Sequence, residues 1–274
     1  MFYYYNKMDI YHFIYILILV IIIFYIIRLK YKQDFKKESY SNNNTNQLHH
    51  YFSQIYVIVI PDRKEYIKAV MKQIKINPVI FDAILKKDIN KQQLLESKFL
   101  HPKNTVNNGR IACHLSHMTV LEKFLETDKN NCFIFEDDLQ MPVISLKEMN
   151  KYIDHIMLNV PKDYDIIYFG RCWDYCHLDK KITNNLVRCV KPRCRHAYGV
   201  SRKGAEKILK YGIPMIHRGG DENIAKHIKK GNIIAYAVTP PLFYQNRREL
   251  GTNLGNYSEL QECYPIKKNN NHIK

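Results

Sequence analysis

The protein has 274 residues, of which 46% are hydrophobic, 25% charged and 12% aromatic. This composition is typical of a folded protein and excludes disorder or a fibrous structure throughout the chain. The formal net charge is +16, and residues 1–50 contribute only +3 of it, so the remaining 224 residues are themselves basic. A basic domain fits a phosphate-bearing ligand, nucleic acid or an anionic surface. Abundant Lys, Asn, Ile and Tyr also arise in an A+T-rich genome without any such partner.

The first predicted element is a membrane-spanning helix. From Ile10 to Ile27 the chain is almost continuously apolar or aromatic, and basic residues follow from Arg28 onward. A helix of 18 residues is about 27 Å long, which matches a thin bilayer core. Because the first 50 residues contain no Ala or Gly at which a signal peptide could be cleaved, we expect residues 1–32 to be a retained membrane anchor.

Two features of the sequence favour opposite orientations of that anchor. The basic residues after the predicted helix favour a cytosolic domain. Glycosylation acceptor patterns at Asn43 and Asn256, together with seven cysteines, favour a domain in an ER- or Golgi-type lumen. Both topologies stay open, and we prefer the lumenal one. We predict that residues 33–50 are a stem, that residues 51–262 form a domain large enough for an enzyme, and that residues 263–274 are a basic polar tail.

Strands and helices alternate along the predicted domain. Apolar runs predict strands at residues 55–60, 78–84, 132–135, 164–170, 186–190, 196–201 and 233–238. Helical spacing predicts helices at residues 62–75, 88–99, 111–125 and 201–212, the last capped by Ser201 and ended by Gly212. This alternation predicts one Rossmann-like α/β domain with a mostly parallel central sheet and helices on both faces.

Three consecutive carboxylates follow one of the predicted buried strands. Glu136, Asp137 and Asp138 stand directly after residues 132–135, at the edge of the sheet where open α/β folds bind ligands. Adjacent carboxylates repel each other unless a cation neutralises them, and Mg²⁺ or Mn²⁺ accepts oxygen ligands while leaving positions open for substrate. The spacing alone is equally compatible with a solvated acidic turn.

Several blocks of sequence, in order, resemble glycosyltransferase family 25, which includes lipooligosaccharide and procollagen galactosyltransferases. The blocks are YVIVIPDRKEY, FDAI, GRIACHLSHMTVLEKFL followed by FIFEDDL, HAYGVSRKGAEKIL, GGDENI and AYAVTPPLFYQ. The resemblance covers residues 55–246 and implies a GT-A-like nucleotide-sugar-binding fold. One departure lies in the first block, where Val59, Ile60 and Tyr66 replace the residues typical of the family and leave Arg63 alone to meet phosphate.

The resemblance also implies a reaction and a set of site residues. A hexose, with galactose or glucose favoured, is expected to move with inversion from a UDP-sugar to a saccharide or protein hydroxyl. The ligands expected for Mn²⁺ (or Mg²⁺) on the donor diphosphate are Glu136, Asp137 and Asp138. The residues expected near the nucleotide are Arg63, Ser116 and His117, although His117 also fits a structural position on a core helix.

An inverting displacement needs a base that takes the proton of the acceptor hydroxyl. Asp221 and Glu222 are the candidates, because the Gly219-Gly220 pair before them permits a sharp turn at the start of a helix. Projection of these carboxylates toward the cleft is one interpretation. Simple stabilisation of a helix N-terminus by acidic residues is the other.

Four cysteines lie in the insertion before the strand at residues 196–201: Cys172, Cys176, Cys189 and Cys194. Their spacing admits a zinc knuckle or two disulfides, and we prefer disulfides because a lumenal enzyme would be oxidised there. Cys113 and Cys132 fall on predicted core elements and are expected to be buried thiols.

A different class of function is a basic, membrane-tethered module that binds an anionic polymer or nucleic acid without catalysis. Such a module is expected to interleave basic residues with aromatic ones. The basic segments at residues 226–232 and 266–274 carry no aromatic residue, so we expect no nucleic acid partner. A metal phosphoesterase would require His and Asp ligands for two metals, and the single acidic cluster argues against it.

Overall fold

The computed structural model describes residues 12–28, 30, 45–140, 142–172, 175–216 and 219–251. The chain divides into two units, with the boundary between Asn44 and Thr45. In the first unit, residues 12–28 are helical, whereas Ile10, where the predicted membrane span begins, lies outside the described residues. No helix in the described ranges is both long enough and apolar enough to cross a membrane. The membrane span predicted from Ile10 to Ile27 is therefore not supported within the described residues.

The described part of the second unit contains α-helices and strands that we number in chain order. The helices are α1 (Leu48–Tyr51), α2 (Lys64–Gln73), α3 (Lys91–Glu96), α4 (Asn108–Leu125), α5 (Leu146–Met157), α6 (Arg202–Gly212), α7 (Gly220–Lys229) and α8 (Arg247–Leu250). The strands are β1 (Ile55–Val59), β2 (Val79–Asp82), β3 (Asn131–Glu136), β4 (Ile166–Cys172), β5 (Lys180–Lys181), β6 (Leu186–Arg188), β7 (Arg193–Ser201) and β8 (Ala235–Val238).

The eight strands form one mixed sheet in the order β2-β1-β3-β7-β4-β8-β6-β5. Strand β1 is parallel to β2 and β3, and β4 is parallel to β8. Strand β7 is antiparallel to both β3 and β4, and the β6 pairings are antiparallel as well. The prediction of a mostly parallel sheet is therefore wrong. A strand covered on both faces is a continuous apolar run whatever its direction, so the pattern of β7 could not reveal its reversal.

The reversal of β7 determines which of its residues lie beside the carboxyl ends of its neighbours, where α/β folds bind ligands. Phe135 pairs with Ala197, and Cys172 pairs with Arg193. The first half of β7 therefore lies beside the carboxyl ends of β3 and β4. A parallel strand would have placed its last residues at that edge instead.

Side chains on alternate strand positions enter two separate cores, one on each face of the sheet. In β3, Cys132 and Ile134 join the core under α4, α6 and α7, whereas Phe133 and Phe135 join the core under α1, α2 and α5. This period-two alternation is what a strand buried on both faces requires. The predicted layering, with helices on both faces of the sheet, is thus confirmed.

The larger unit begins earlier than the predicted domain boundary at residue 51. The Asn46 side chain donates to the carbonyl of Ile74 over 2.9 Å, and Leu48 is fully buried. Residues 45–50, assigned to the predicted stem, therefore belong to the domain, because α1 contributes an apolar side chain that local periodicity in a four-residue helix cannot reveal. The rest of the stem and the predicted tail at residues 263–274 lie outside the described residues.

Capping side chains explain where two helices begin. The Ser201 hydroxyl accepts a hydrogen bond from the N–H of Gly204 over 3.0 Å, which confirms the predicted cap of α6. Helix α5 was not predicted, although Ser145 and Glu148 form a reciprocal capping box at its start. The Ser-x-x-Glu pattern was the available signal.

Candidate active site

Asp137 is buried and fastens the end of β3 to the end of β1. One of its carboxylate oxygens accepts a hydrogen bond from the N–H of Ile60 over 2.6 Å, and the other pairs with Nη1 of Arg63 over 2.9 Å. Both oxygens of Asp137 therefore have a partner within the protein. The structure places this residue differently from its two acidic neighbours.

Glu136 and Asp138 converge instead on the side-chain amide of Gln245. The Nε2 atom of Gln245 lies 3.2 Å from Oε2 of Glu136, and 3.1 Å and 2.9 Å from the two oxygens of Asp138. A neutral amide donates two hydrogen bonds but cannot cancel two negative charges. Burial accordingly raises the pKa of Glu136 to about 7, and burial together with the charge of Glu136 raises the pKa of Asp138 to about 7.

The donor set of Glu136 and Asp138 fits a hard divalent cation. Three carboxylate oxygens surround a single position, which the Gln245 nitrogen holds in this structure. Carboxylate oxygens are the ligands that Mg²⁺ and Mn²⁺ prefer. The residues present therefore match the predicted metal, with two of the three predicted carboxylates converging and Asp137 engaged elsewhere.

His117 orients Glu136 from the middle of α4. Its Nε2 lies 2.9 Å from Oε1 of Glu136, and its Nδ1 lies 3.1 Å from the hydroxyl of Tyr198. His117 is 1% exposed, and burial, followed by the positive charge of Arg195, lowers its pKa well below the usual value. The neutral ring therefore donates from Nε2 to the carboxylate and accepts from Tyr198 at Nδ1. These contacts give His117 a structural partner on each side.

Cys113 lies one helical turn before His117 on the same face of α4. Its Sγ, a ring nitrogen of His117 and a carboxylate oxygen of Glu136 lie within 4.8 Å of one another. Burial raises the pKa of the Cys113 thiol, so the thiol is protonated at neutral pH. Cys113 and Cys132 are both thiols, as expected, but Cys113 is only partly buried whereas Cys132 is fully buried.

The other two residues predicted to contact the nucleotide make contacts inside the domain. Nη2 of Arg63 donates to the carbonyl of Leu250 over 3.1 Å, and its Nη1 lies 3.9 Å from Asp138. The buried hydroxyl of Ser116 donates to the carbonyl of Ala112 over 2.8 Å and accepts from the N–H of Ile84 over 2.9 Å. Arg63 thus lies at the carboxylate site, whereas Ser116 joins α4 to the segment that follows β2.

Asp221 and Glu222 begin α7 but face different partners. Asp221 accepts hydrogen bonds from the N–H of Cys194 over 3.0 Å and from the N–H of Glu222 over 2.9 Å. Glu222 forms an ion pair with Arg193 over 3.0 Å. The charge of Asp221 contributes to the raised pKa of Glu136, which places Asp221 within electrostatic range of the carboxylate site.

Close packing requires one glycine of the pair that precedes these residues. A Cβ atom on Gly220 would lie 2.0 Å from Nδ1 of His114. The start of α7 can therefore approach α4 only without a side chain at this position. This contact gives Gly220, the second residue of the predicted Gly-Gly turn, its physical reason.

Sequence reasoning missed Arg195 and Gln245. Arg195 is 3% exposed, and its Nη2 lies 3.1 Å from Nδ1 of His114. Its Nε and Nη1 have no hydrogen-bond partner among the described residues. A positive charge immediately before the apolar run of β7 was the available signal. Gln245 gave none by itself, because a glutamine after two prolines reads as a loop residue.

A disulfide joins Cys172, at the end of β4, to Cys194, near the start of β7. This confirms a disulfide in the predicted cysteine cluster. Cys189, another member of that cluster, is buried in the core and is not part of this bridge. Because Cys172 and Cys194 are bonded to each other, their thiolates are not available for the zinc knuckle that the spacing also admitted.

Comparison with known proteins identifies the family. Residues 52–218 match glycosyltransferase family 25, described as an LPS biosynthesis protein family. Procollagen galactosyltransferase 1-A of Xenopus laevis is 22% identical over 221 residues, which are 70% of this chain and 36% of that protein. A glycosyltransferase 25 family member of Drosophila melanogaster is 24% identical over 206 residues, which are 67% of this chain and 33% of that protein.

A human relative gives a similar result over a shorter region. Procollagen galactosyltransferase 2 of Homo sapiens is 24% identical over 172 residues, which are 58% of this chain and 27% of that protein. The chain spans about a third of the length of the curated relatives it matches. The family match covers more than half of the chain and includes the Glu136 to Asp138 strand end. The protein therefore belongs to glycosyltransferase family 25.

Proposed function

We propose that the domain transfers a hexose from a UDP-sugar to a hydroxyl of a saccharide or protein, with inversion and with the assistance of Mn²⁺ or Mg²⁺. The observation that carries this proposal is the convergence of Glu136 and Asp138 on one position at the carboxyl end of β3. Galactose is the first choice of sugar because two of the relatives are named procollagen galactosyltransferases, and glucose is the second.

The residues around the carboxylates hold them in place for a cation. His117 and Tyr198 fix the orientation of Glu136, while the pairing of Arg63 with Asp137 fixes the end of β3 against β1. A divalent cation held by Glu136 and Asp138 would offset the negative charge that develops on the departing diphosphate.

Asp221 is our choice for the general base. The acceptor oxygen forms a bond to the anomeric carbon while the bond from that carbon to UDP breaks, and the hydroxyl proton passes to the Asp221 carboxylate. The N–H of Cys194 supports this choice because it holds Asp221 from outside its own helix. Glu222 is the weaker candidate, since it pairs with the cationic side chain of Arg193 over 3.0 Å, whereas the partners of Asp221 are neutral N–H groups.

The compartment is part of the same proposal. A disulfide between Cys172 and Cys194 forms and persists in an oxidising environment. This supports a domain that works in an ER- or Golgi-type lumen, where sugar acceptors on proteins and glycans are exposed.

The test is release of UDP by the full chain from UDP-galactose and UDP-glucose, with and without Mn²⁺, in the presence of collagen-like peptides or simple saccharides. Asp138→Asn should abolish metal-dependent release in a folded protein. The matched control is Asp82→Asn, which removes a carboxylate that is 83% exposed at the end of β2. Metal-independent release, or an unchanged rate in folded Asp138→Asn, would contradict the proposal. No release with any donor would favour a binding module without catalysis.

A further inference from the structure

A sulfur, a nitrogen and an oxygen ligand lie close together where α4 packs beside the end of β3. The ligand atoms of Cys113, His117 and Glu136 lie within 4.8 Å of one another, and the nitrogen of His117 is already 2.9 Å from Oε1 of Glu136. The oxygen that Gln245 contacts is the other one, Oε2. We propose that Cys113, His117 and Glu136 bind a thiophilic divalent cation such as Zn²⁺, at a site next to the hard-cation site and sharing Glu136 with it.

The backbone already presents the three ligands to one point. Cys113 and His117 are four residues apart on α4, so they occupy the same face one turn apart, and Glu136 approaches this face from the end of β3. Ligand atoms around a tetrahedral zinc ion lie roughly 3.3 to 3.6 Å from one another. Moving from a spread of 4.8 Å to that separation requires side-chain rotation but no change in the backbone elements.

The surroundings of His117 match those of a metal-binding histidine. Metal-ligating histidines usually contact a polar partner through the ring nitrogen that does not bind the metal. Here Nδ1 contacts the hydroxyl of Tyr198 over 3.1 Å, and Nε2 is the ring nitrogen that faces Glu136. When Nε2 binds a cation, the ring proton moves to Nδ1 and is donated to the oxygen of Tyr198, so the contact is kept with its direction reversed.

The chemistry of the ligand set selects the cation. A thiolate with an imidazole favours zinc-like ions over Mg²⁺ and Mn²⁺, which prefer oxygen. On binding, the Cys113 thiol loses its proton to solvent, so the thiolate and the Glu136 carboxylate together balance the charge of a divalent ion. Cys113 is only partly buried, and the Glu136 side chain is 21% exposed. Solvent can therefore reach the site and supply a fourth ligand.

The nearby positive charge of Arg195 opposes a cation at this position. That charge contributes to the lowered pKa of His117 and acts on Glu136 and Cys113 as well. We therefore expect exchangeable binding rather than the tight binding of a structural zinc site. Exchangeable binding suits a site that adjusts the neighbouring hard-cation site and does not hold the fold together.

Cobalt provides a readout that does not depend on enzyme activity. Co²⁺ bound to a thiolate shows an intense charge-transfer absorption in the near ultraviolet, whereas Co²⁺ bound only to oxygen and nitrogen does not. We expect this band when Co²⁺ is titrated into the full chain with its disulfide intact. Cys113→Ser should abolish the band, and His117→Gln should weaken Co²⁺ binding at least tenfold. Cys132→Ala, which removes a fully buried thiol at the start of β3, should keep it.

Circular dichroism would establish that each variant is folded. A wild-type protein without the band, or a band that persists in Cys113→Ser, would overturn the proposal. The His117→Gln variant provides a second measurement in case Cys113→Ser does not fold. In that case, an affinity for Co²⁺ that is the same in His117→Gln as in the wild type would overturn the proposal as well.

Sharing Glu136 has a measurable consequence that rests on the proposed Mn²⁺ site. Two cations that share one carboxylate repel each other, so each should weaken binding of the other by the same factor. We expect Zn²⁺ to lower the affinity for Mn²⁺ at least tenfold in the wild type and to have no such effect in Cys113→Ser, as measured by the electron paramagnetic resonance signal of free Mn²⁺. Equal effects in both proteins would contradict the sharing of Glu136. Absence of Mn²⁺ binding together with an intact cobalt band would contradict the proposed function alone.

Discussion

The backbone N–H of Cys194 donates a hydrogen bond to Oδ2 of Asp221 over 3.0 Å. Cys194 also forms the disulfide with Cys172 and has a positive φ of 59°. This backbone conformation is unusual for a residue other than glycine. The disulfide therefore helps to hold the N–H group that orients the proposed base. The disulfide between β4 and β7 thereby contributes to the position of the first turn of α7.

Removing this disulfide should lower turnover through Asp221. Replacing both Cys172 and Cys194 by Ala frees the loop and releases the N–H that holds the carboxylate. We expect turnover to fall on the order of tenfold, with UDP affinity in Mn²⁺ nearly unchanged, and the free energy of unfolding to fall by about 2–4 kcal/mol. Turnover and UDP affinity should be measured at a temperature at which the variant is folded. Wild-type turnover in the folded variant would show that the disulfide does not position Asp221.

The two acidic residues that begin α7 should respond differently to loss of charge. Asp221→Asn should reduce turnover by about 10²–10⁴-fold, the usual contribution of a general base, with UDP affinity retained. Glu222→Gln serves as the matched control and should keep most of the activity, since it weakens a partly exposed ion pair with Arg193. The reverse order of effects would assign the base to Glu222. Loss of UDP affinity in both variants would place the pair in the metal and nucleotide site.

Gln245→Ala should make the metal-free protein less stable and its response to Mn²⁺ larger. In the wild type the amide nitrogen lies between the two carboxylates, where a cation held by both would lie. Its removal leaves Oε2 of Glu136 and both oxygens of Asp138 without their amide donor, although His117 still bonds to Oε1 of Glu136, and it also removes a competitor for the cation. The rise in Tm on adding Mn²⁺ should therefore be greater in the variant than in the wild type.

Gln140→Ala is the control for that measurement, because the contact of Gln140 with the same segment is made by its backbone N–H to the carbonyl of Tyr244. Its Tm should rise with Mn²⁺ as in the wild type. Equal rises in wild type and Gln245→Ala would show that Gln245 does not compete with the cation.

Replacing His196 should reduce the sensitivity of the domain to acid. His196 is buried, its Nε2 bonds to the carbonyl of Phe243 over 3.0 Å, and burial lowers its pKa to about 4. Between pH 6.5 and 4 the unfolded chain therefore binds a proton that the folded protein does not, and stability falls as the pH falls. His196→Gln keeps a donor for Phe243 and should reduce the loss of stability between pH 7 and pH 5 by about 2 kcal/mol.

Denaturant unfolding at the two pH values would measure this difference. His155→Gln, which replaces an exposed histidine on α5, should leave the loss between pH 7 and pH 5 as it is in the wild type. A loss that is the same in His196→Gln and in wild type would mean that His196 takes up its proton in the folded protein.

The sequence predicted the strand and helix order well because apolar runs and caps are local signals. The end of β3 with its carboxylates and the cap of α6 at Ser201 were both found where predicted. Strand direction is not a local signal, so the reversal of β7 was missed. The different partners of Glu136, Asp137 and Asp138 were not predicted for the same reason. Whether an oxygen faces Arg63, His117 or Gln245 depends on residues far apart in the chain.

The direction and pairing of β7 restrict where the protein can accept an insertion or a deletion. The registers that pair Phe135 with Ala197 and Cys172 with Arg193 place the cystine and the buried guanidinium of Arg195 at the edge, and the apolar run in the core. From Ala197 back to Arg193 the strand covers four residue steps while β4 covers two, from Gly170 to Cys172, so the register shifts within this interval. The pairing with β3 is regular between Ala197 and Ser201, so a codon inserted or deleted there would move the side chains on one side of the change to the opposite face of the sheet.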